Sequence, residues 1–221
     1  MTIILLAVAT WGGSAVVRWW MHKTYARWRQ VPNAIGANGH TIARHILDSN
    51  GLQAVQLEVS AGTLTDHYIP SQDRLRLSEA VNNQASIASL AVAAHEVGHA
   101  LQDAEEYKPM KLKAKLMPLA ALSNNFGLGV LLLGMMNGNA SYTNIGMLML
   151  FSGVSLQLLT LPIEFDASNR ALDELVRLKL VDHRDLEGSK SMLRAAALTY
   201  VAGAASSFAF FAFILLKFFK R

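Results

Sequence analysis

The chain has 221 residues, 52% of them hydrophobic and 16% charged, with a mean hydropathy of +0.26. It is more apolar and less charged than an ordinary soluble domain, which points to the membrane. The absence of cysteine excludes a disulfide framework, a thiolate metal site and a cysteine nucleophile, so any metal must take nitrogen and oxygen ligands. A net charge of +4 comes with no dense basic run and no zinc-finger or RRM-like pattern, so nucleic acid is not an expected partner.

In chain order, TIILLAVATWGGSAVVRWWM (2–21) is the first apolar segment. It lacks a basic leading region and a small-residue cleavage site, so it is expected to be an uncleaved anchor with Trp19 and Trp20 at the interface. Residues 22–115 form the only long polar region. Within it, GHTIARHILDSNGL carries Ile42, Ile46 and Leu47 at helical spacing and predicts a helix closed by Asn50-Gly51. AVQLEVS and DRLRLSE alternate with period two and predict strands, joined by the loop AGTLTDHYIPSQ. A helix is expected from Ser86 to Leu101, capped by Asn82 or Asn83.

Three further segments approach the length of about 20 residues needed to cross a bilayer: residues 116–136, 145–163 and 195–219. Asn124 and Asn125 fall in the middle of the second span, and together with Gln157 in the third they predict packing between spans or subunits. The turn NGNASYTN separates the second span from the third.

The helix predicted over 86–101 contains AVAAHEVGHALQ. Residues four apart share a helical face, so His95 and His99 present two imidazoles to one point, with Glu96 beside them. This H-E-x-x-H pattern serves zinc: two neutral imidazoles ligate, and the glutamate activates a water on the metal as general base. Two histidines and a carboxylate in an apolar helix are costly unless paired or metal-bound.

A catalytic zinc site wants a third protein ligand. Asp103 lies eight residues beyond His95, about 12 Å along the helix, too far for one ion that binds at about 2 Å. The glycine and third histidine of the metzincin extension are absent, since His99 is followed by ALQDAEE. The ligand must therefore come from a remote segment, and LPIEFDASNRALDEL offers Glu164, Asp166 and Asp173, with His183 in a polar loop further on. Glu164, directly after the third span, is favoured. Asp166 is the candidate to orient an imidazole, and Arg170 to hold the carboxylate or an oxyanion. In TDHY, His67 or Tyr68 is a candidate donor to the tetrahedral oxyanion. If RLRLSE is a sheet edge, an extended substrate can add to it through main-chain hydrogen bonds.

The blocks LTDHY (64–68), RLSEAV (76–81), SIASLAVAAHEVGHALQ (86–102), LPIEFDASNRAL (161–172) and AALTYVA (196–202) occur in the order in which they are found in the YugP-type neutral zinc metallopeptidases. The chain resembles this family of small bacterial membrane proteases along nearly its whole length. The resemblance implies that His95 and His99 are zinc ligands, Glu96 the catalytic base and Glu164 the third ligand. It also implies that the substrate is a protein or peptide, including membrane-associated or misfolded proteins. A looser similarity runs to the HtpX and CAAX-prenyl-protease group, which usually has an aspartate four residues after the ligand glutamate, where this chain has Ser168.

The expectation is a mainly α membrane protein of about four transmembrane helices, with a small α/β zincin-like catalytic region inserted between spans 1 and 2. Residues 1–21 form the anchor, 22–115 the catalytic region and 116–221 the membrane bundle, with the third-ligand segment at 161–194. Arg18, Lys23, Arg27 and Arg29 on one flank and Lys108, Lys111, Lys113 and Lys115 on the other place the catalytic region in the cytoplasm, although Lys217, Lys220 and Arg221 then lie outside. Two alternatives are an intramembrane site-2-type metalloprotease and a non-catalytic membrane protein with a structural metal. The first expects an L-D-G context, and the later Leu-Asp here is Leu172-Asp173-Glu174.

Overall fold

The structure, a computed structural model, describes residues 2–219 and, among these, the side chains of residues 12–123 and 125–216. The side chains of residues 2–11 in the expected first span, that of Asn124, and the basic C-terminal positions Lys217 (side chain), Lys220 and Arg221 lie outside the described residues. The described chain is mainly helical: α1 (Thr2–Arg29), α2 (Gly39–Ser49), α3 (Glu79–Asn83), α4 (Ile87–Ala104), α5 (Lys108–Leu122), α6 (Leu128–Met136), α7 (Ala140–Arg177) and α8 (His183–Phe219). Three short strands, β1 (Gln56–Ser60), β2 (His67–Ile69) and β3 (Arg74–Ser78), make one sheet. The chain divides into a polar unit, Arg18–Tyr107 with Glu164–Leu198, and an apolar unit made from the remaining residues.

In the polar unit the helix expected around Ile42 is α2. Asn38 caps its N-terminus by accepting from the Thr41 N–H at 2.9 Å, and Gly51 follows the Asn50 C-cap at φ +76°, a conformation suited to glycine. Both expected strands form, and Leu75 and Leu77 are fully buried. The order β1–β3–β2, with β1 parallel and β2 antiparallel to β3, corrects the expectation of an edge at RLRLSE. That segment is the central strand, so both of its hydrogen-bonding edges are occupied and no substrate strand can add there. HYI, expected in a loop, forms β2 on one edge.

The long helix also starts differently from expectation. Asn82 and Asn83 belong to the short helix α3, Gln84 turns extended, and the Ser86 hydroxyl caps α4 by accepting from the Ser89 N–H at 3.1 Å. Leu90, Ala93, Ala94, Val97 and Leu101 of α4 then pack with Ile42, Ile46 and Leu47 of α2 and Leu75 and Leu77 of β3 in one core. The apolar character of α4 is therefore used inside the polar unit.

In the apolar unit, α5 and α6 join through one π-helical turn, Ser123–Gly127, where the Ser123 hydroxyl bonds the Met149 carbonyl. Among the described residues, three helical stretches are long and apolar enough to cross a membrane: Lys108–Met136, Ala140–Arg177 and His183–Leu216. They leave Leu133, Met136, Leu148, Phe151 and Phe208 more than half exposed, as lipid-facing side chains are. Gln157 accepts from the Ser207 hydroxyl at 2.9 Å, a polar tie between α7 and α8 of the kind expected of it. Asn125 is exposed.

Candidate metal centre

His95 and His99 stand one turn apart on α4, with their ring centroids 4.8 Å from each other. Glu164 enters from α7. Its Oε2 lies 3.3 Å from His95 Nε2 and 3.7 Å from His99 Nε2, and the potential ligand atoms of these three residues all lie within 4.8 Å of one another. Donors about 2 Å from a tetrahedral ion stand about 3.3 Å apart, so the spacing suits a small cation. Close helix packing makes this approach possible, because a Cβ on Gly98 would meet the Ala167 carbonyl at 2.4 Å. Only glycine lets α4 come so near to α7 at that point.

The outer nitrogens of the two rings determine what the inner ones offer. Gln102, fully buried, donates from Nε2 to Asp166 Oδ2 at 2.8 Å. An ionised carboxylate only accepts, so the Gln102 carbonyl oxygen must face His99 Nδ1, 3.0 Å away, and Nδ1 carries the proton. Burial opposes charge on His99, but Glu164 and Glu96 outweigh it and raise the ring's pKa. A cation that displaces the Nε2 proton would meet the lone pair facing Glu164. His95 is contacted by a group of either polarity, its Nδ1 lying 3.2 Å from the Ser168 hydroxyl, which can accept from it or donate to it. With the proton on Nδ1 of each ring, both Nε2 lone pairs would face the Glu164 carboxylate, an arrangement that a divalent cation satisfies. The donor set fits zinc.

Asp166 is fixed in turn by Arg170, whose Nε donates at 2.6 Å while its Nη1 reaches Glu105 at 2.8 Å. The expected pair Asp166 and Arg170 is thus brought to the second layer around His99, and Arg170 pairs with Asp166 and Glu105 rather than with Glu164. Glu96 is buried beside the ligands. Burial pushes its carboxyl pKa up; the histidines oppose this, and the charges of Asp66 and Glu164 reinforce it.

The two candidate oxyanion donors are engaged elsewhere. The Tyr68 hydroxyl lies 3.1 Å from Asp103 Oδ2 and 3.2 Å from Asp73 Oδ1. Burial and these two carboxylates hold its pKa well above the ordinary phenol value. Exposed His67 contacts the Thr65 carbonyl at 2.7 Å through Nδ1. Asp66 accepts from both the N–H and the hydroxyl of Ser78, which ties β2 to the end of β3. Asp103, excluded on spacing, stays outside the ligand group, and so does His183, which opens α8 instead of lying in a loop.

Sequence reasoning missed Gln102 as the partner of His99, although its place three residues beyond on the same helical face was a usable signal. It noted Ser168 only as a departure from another group's aspartate, yet the hydroxyl meets His95.

A family described as "Putative neutral zinc metallopeptidase" matches residues 2–218. The chain is 38% identical over 218 residues to "Putative membrane protease YugP" of Bacillus subtilis (strain 168), covering 99% of this chain and 95% of that protein. No solved structure matches.

Proposed function

The chain belongs to the neutral zinc metallopeptidase family, and from that premise we propose that it is a membrane-integrated zinc endopeptidase with its active site at the cytoplasmic membrane face. The observation that carries this reading is the convergence of His95 Nε2, His99 Nε2 and Glu164 Oε2 from two helices. Zinc held there would supply Lewis acidity to the scissile carbonyl and acidify the attacking water. His95, His99 and Glu164 are the proposed ligands. Gln102 and Ser168 hold the two rings in the ligating tautomer, and Asp166 with Arg170 fixes Gln102. Glu96 takes the proton of the attacking water as the C–O bond forms, then carries it to the amine as the C–N bond breaks. Its raised pKa suits a group that must both accept and return a proton. His67 and Tyr68 remain the proposed oxyanion donors, and Tyr68 would have to exchange a carboxylate partner for the substrate oxygen.

Four spans are proposed: α1 over residues 2–21, then 116–136, 145–163 and 195–219. The domains are the anchor, the catalytic region 22–115 and the bundle 116–221, whose segment 161–194 returns the third ligand to the metal helix. Substrates are protein or peptide, membrane-associated or misfolded. The packing of α4 against α2 and β3 weighs against the site-2-type alternative, which needs that helix in lipid. Glu96, which ligation does not require, weighs against a purely structural metal.

The test compares zinc content and casein cleavage for the wild type, Glu96→Gln and Glu164→Ala. Glu96→Gln is expected to keep zinc and lose cleavage by at least about 100-fold, and Glu164→Ala to lose both. Wild type without zinc, or normal cleavage by Glu96→Gln, overturns the mechanism.

A further inference from the structure

The polar unit contains a groove of about 520 Å³, within the range of roughly 300–1,000 Å³ of small-molecule sites. Trp20 of α1, Phe165 and Leu172 of α7 and Leu198 of α8 give it apolar walls, while Lys190 and Arg194 of α8 supply two cations. Among the described residues no acidic side chain lines it, and of the residues gathered around the candidate metal centre only Ser168 does. Lys190 reaches Glu187 at 3.0 Å, and the Arg194 charge acts on the same carboxylate from further away, so two cations share one acid.

The two kinds of lining are ordered along the helices. Lys190, Arg194 and Leu198 follow one another at four-residue spacing on one face of α8. Leu198 lies inside the apolar segment 195–219, Arg194 immediately before it, and Lys190 about 6 Å further out. On α7, Phe165 sits two residues beyond the apolar segment 145–163. The apolar end of the groove therefore adjoins the hydrocarbon-compatible part of both helices, and the cations stand at the depth of a headgroup layer.

We propose that this groove binds one anionic phospholipid of the bilayer, with an acyl chain along Phe165, Leu198 and Trp20 and the phosphate at Lys190 and Arg194. The proposal rests on the membrane reading of the chain and is independent of the peptidase reading. Apolar walls alone would accept any lipid, and two cations that share the single carboxylate of Glu187 leave a net positive charge that selects a negative headgroup.

The test uses the full chain purified in neutral detergent and titrated with phosphatidylglycerol bearing dibrominated acyl chains, which quench nearby tryptophan fluorescence. The difference between wild type and Trp20→Phe isolates Trp20 among the four tryptophans. Saturable quenching of that component is expected at a lipid mole fraction about tenfold below that for brominated phosphatidylcholine. Lys190→Gln combined with Arg194→Gln should abolish the preference, and Lys190→Arg with Arg194→Lys should retain it. Because Trp20 is itself part of the lining, native mass spectrometry provides a second readout: phosphatidylglycerol retained by the wild type and not by the neutral double variant.

Equal quenching by both lipids, a preference surviving in the neutral double variant, or displacement by glycerol phosphate alone overturns the proposal. Recovery of the chain from cells as a soluble protein overturns the membrane reading and the lipid site together. Failure to cleave casein leaves the lipid site standing.

Discussion

Gln102 shows how one buried amide can decide the chemistry of a neighbour. With Asp166 taking its N–H, its oxygen has no choice but to accept from His99, and the ring must then present its lone pair inward. Gln102→Met, close in volume, removes both bonds, and zinc affinity measured against a competing chelator should fall about 10- to 100-fold. Gln102→Glu alone sets two carboxylates face to face and should weaken zinc too. Adding Asp166→Asn restores a donor opposite the new acceptor and should recover affinity. If Gln102 only fills space, Gln102→Met leaves the zinc affinity unchanged. At this scale the histidine pair and Glu96 were legible from spacing, since i and i+4 geometry is local. The engagement of Tyr68 with Asp73 and Asp103 was not, because it joins β2 to a loop and to the end of α4.

Elements show where periodic patterns suffice and where pairing intervenes. Alternation located β1 and β3, but strand order is a non-local choice, and it put RLRLSE in the centre of the sheet with β2 on one edge. Helix ends likewise depend on which of several polar residues turns extended, and Ser86 rather than Asn82 or Asn83 did so. The α2 C-cap illustrates how such an end is tied down: Asn50 Nδ2 donates to the Ile46 carbonyl at 2.8 Å and to Glu174 Oε2 of α7 at 2.7 Å. Burial of Glu174 opposes its charge, but the hydrogen bonds from Arg177 and Asn50 outweigh this and lower its pKa below the ordinary 4.5. A lowered carboxyl pKa contributes stability above the unfolded value and loses it as pH falls through the folded one. Thermal melting should therefore show Glu174→Gln less stable than wild type at pH 7, with the difference shrinking as pH falls below the ordinary 4.5 and gone once it is below the lowered folded-state pKa. A constant difference across that range would remove the carboxylate from the account.

For the whole molecule, helix length is the informative quantity. At 1.5 Å per residue, the 38-residue α7 and 37-residue α8 each extend well beyond the roughly 30 Å of a hydrocarbon core, so each must continue as a polar helix outside it. With the proposed third span ending at residue 163, Glu164 would stand where that continuation begins on α7. The proposed topology can be read by labelling, because the chain has no cysteine of its own. Asn139→Cys and Thr2→Cys should react with a membrane-impermeant maleimide in intact cells, and Gln53→Cys only after permeabilisation. The reverse pattern overturns the cytoplasmic orientation, and a Thr2→Cys that labels together with Gln53→Cys removes the first span.

The sequence by itself determined the local geometry and the solvent: two imidazoles and a glutamate on one helix, long apolar segments, and the alternation of two strands. These follow from 3.6- and 2-residue periods and from hydropathy, which near neighbours set. Only the tertiary structure decided that Glu164, 69 positions from His95, comes beside the two imidazoles, that Gln102 and Ser168 meet the outer ring nitrogens, and that β3 is central. Each of these is a meeting of segments distant in the chain, governed by packing such as the close approach at Gly98, and packing has no period to read.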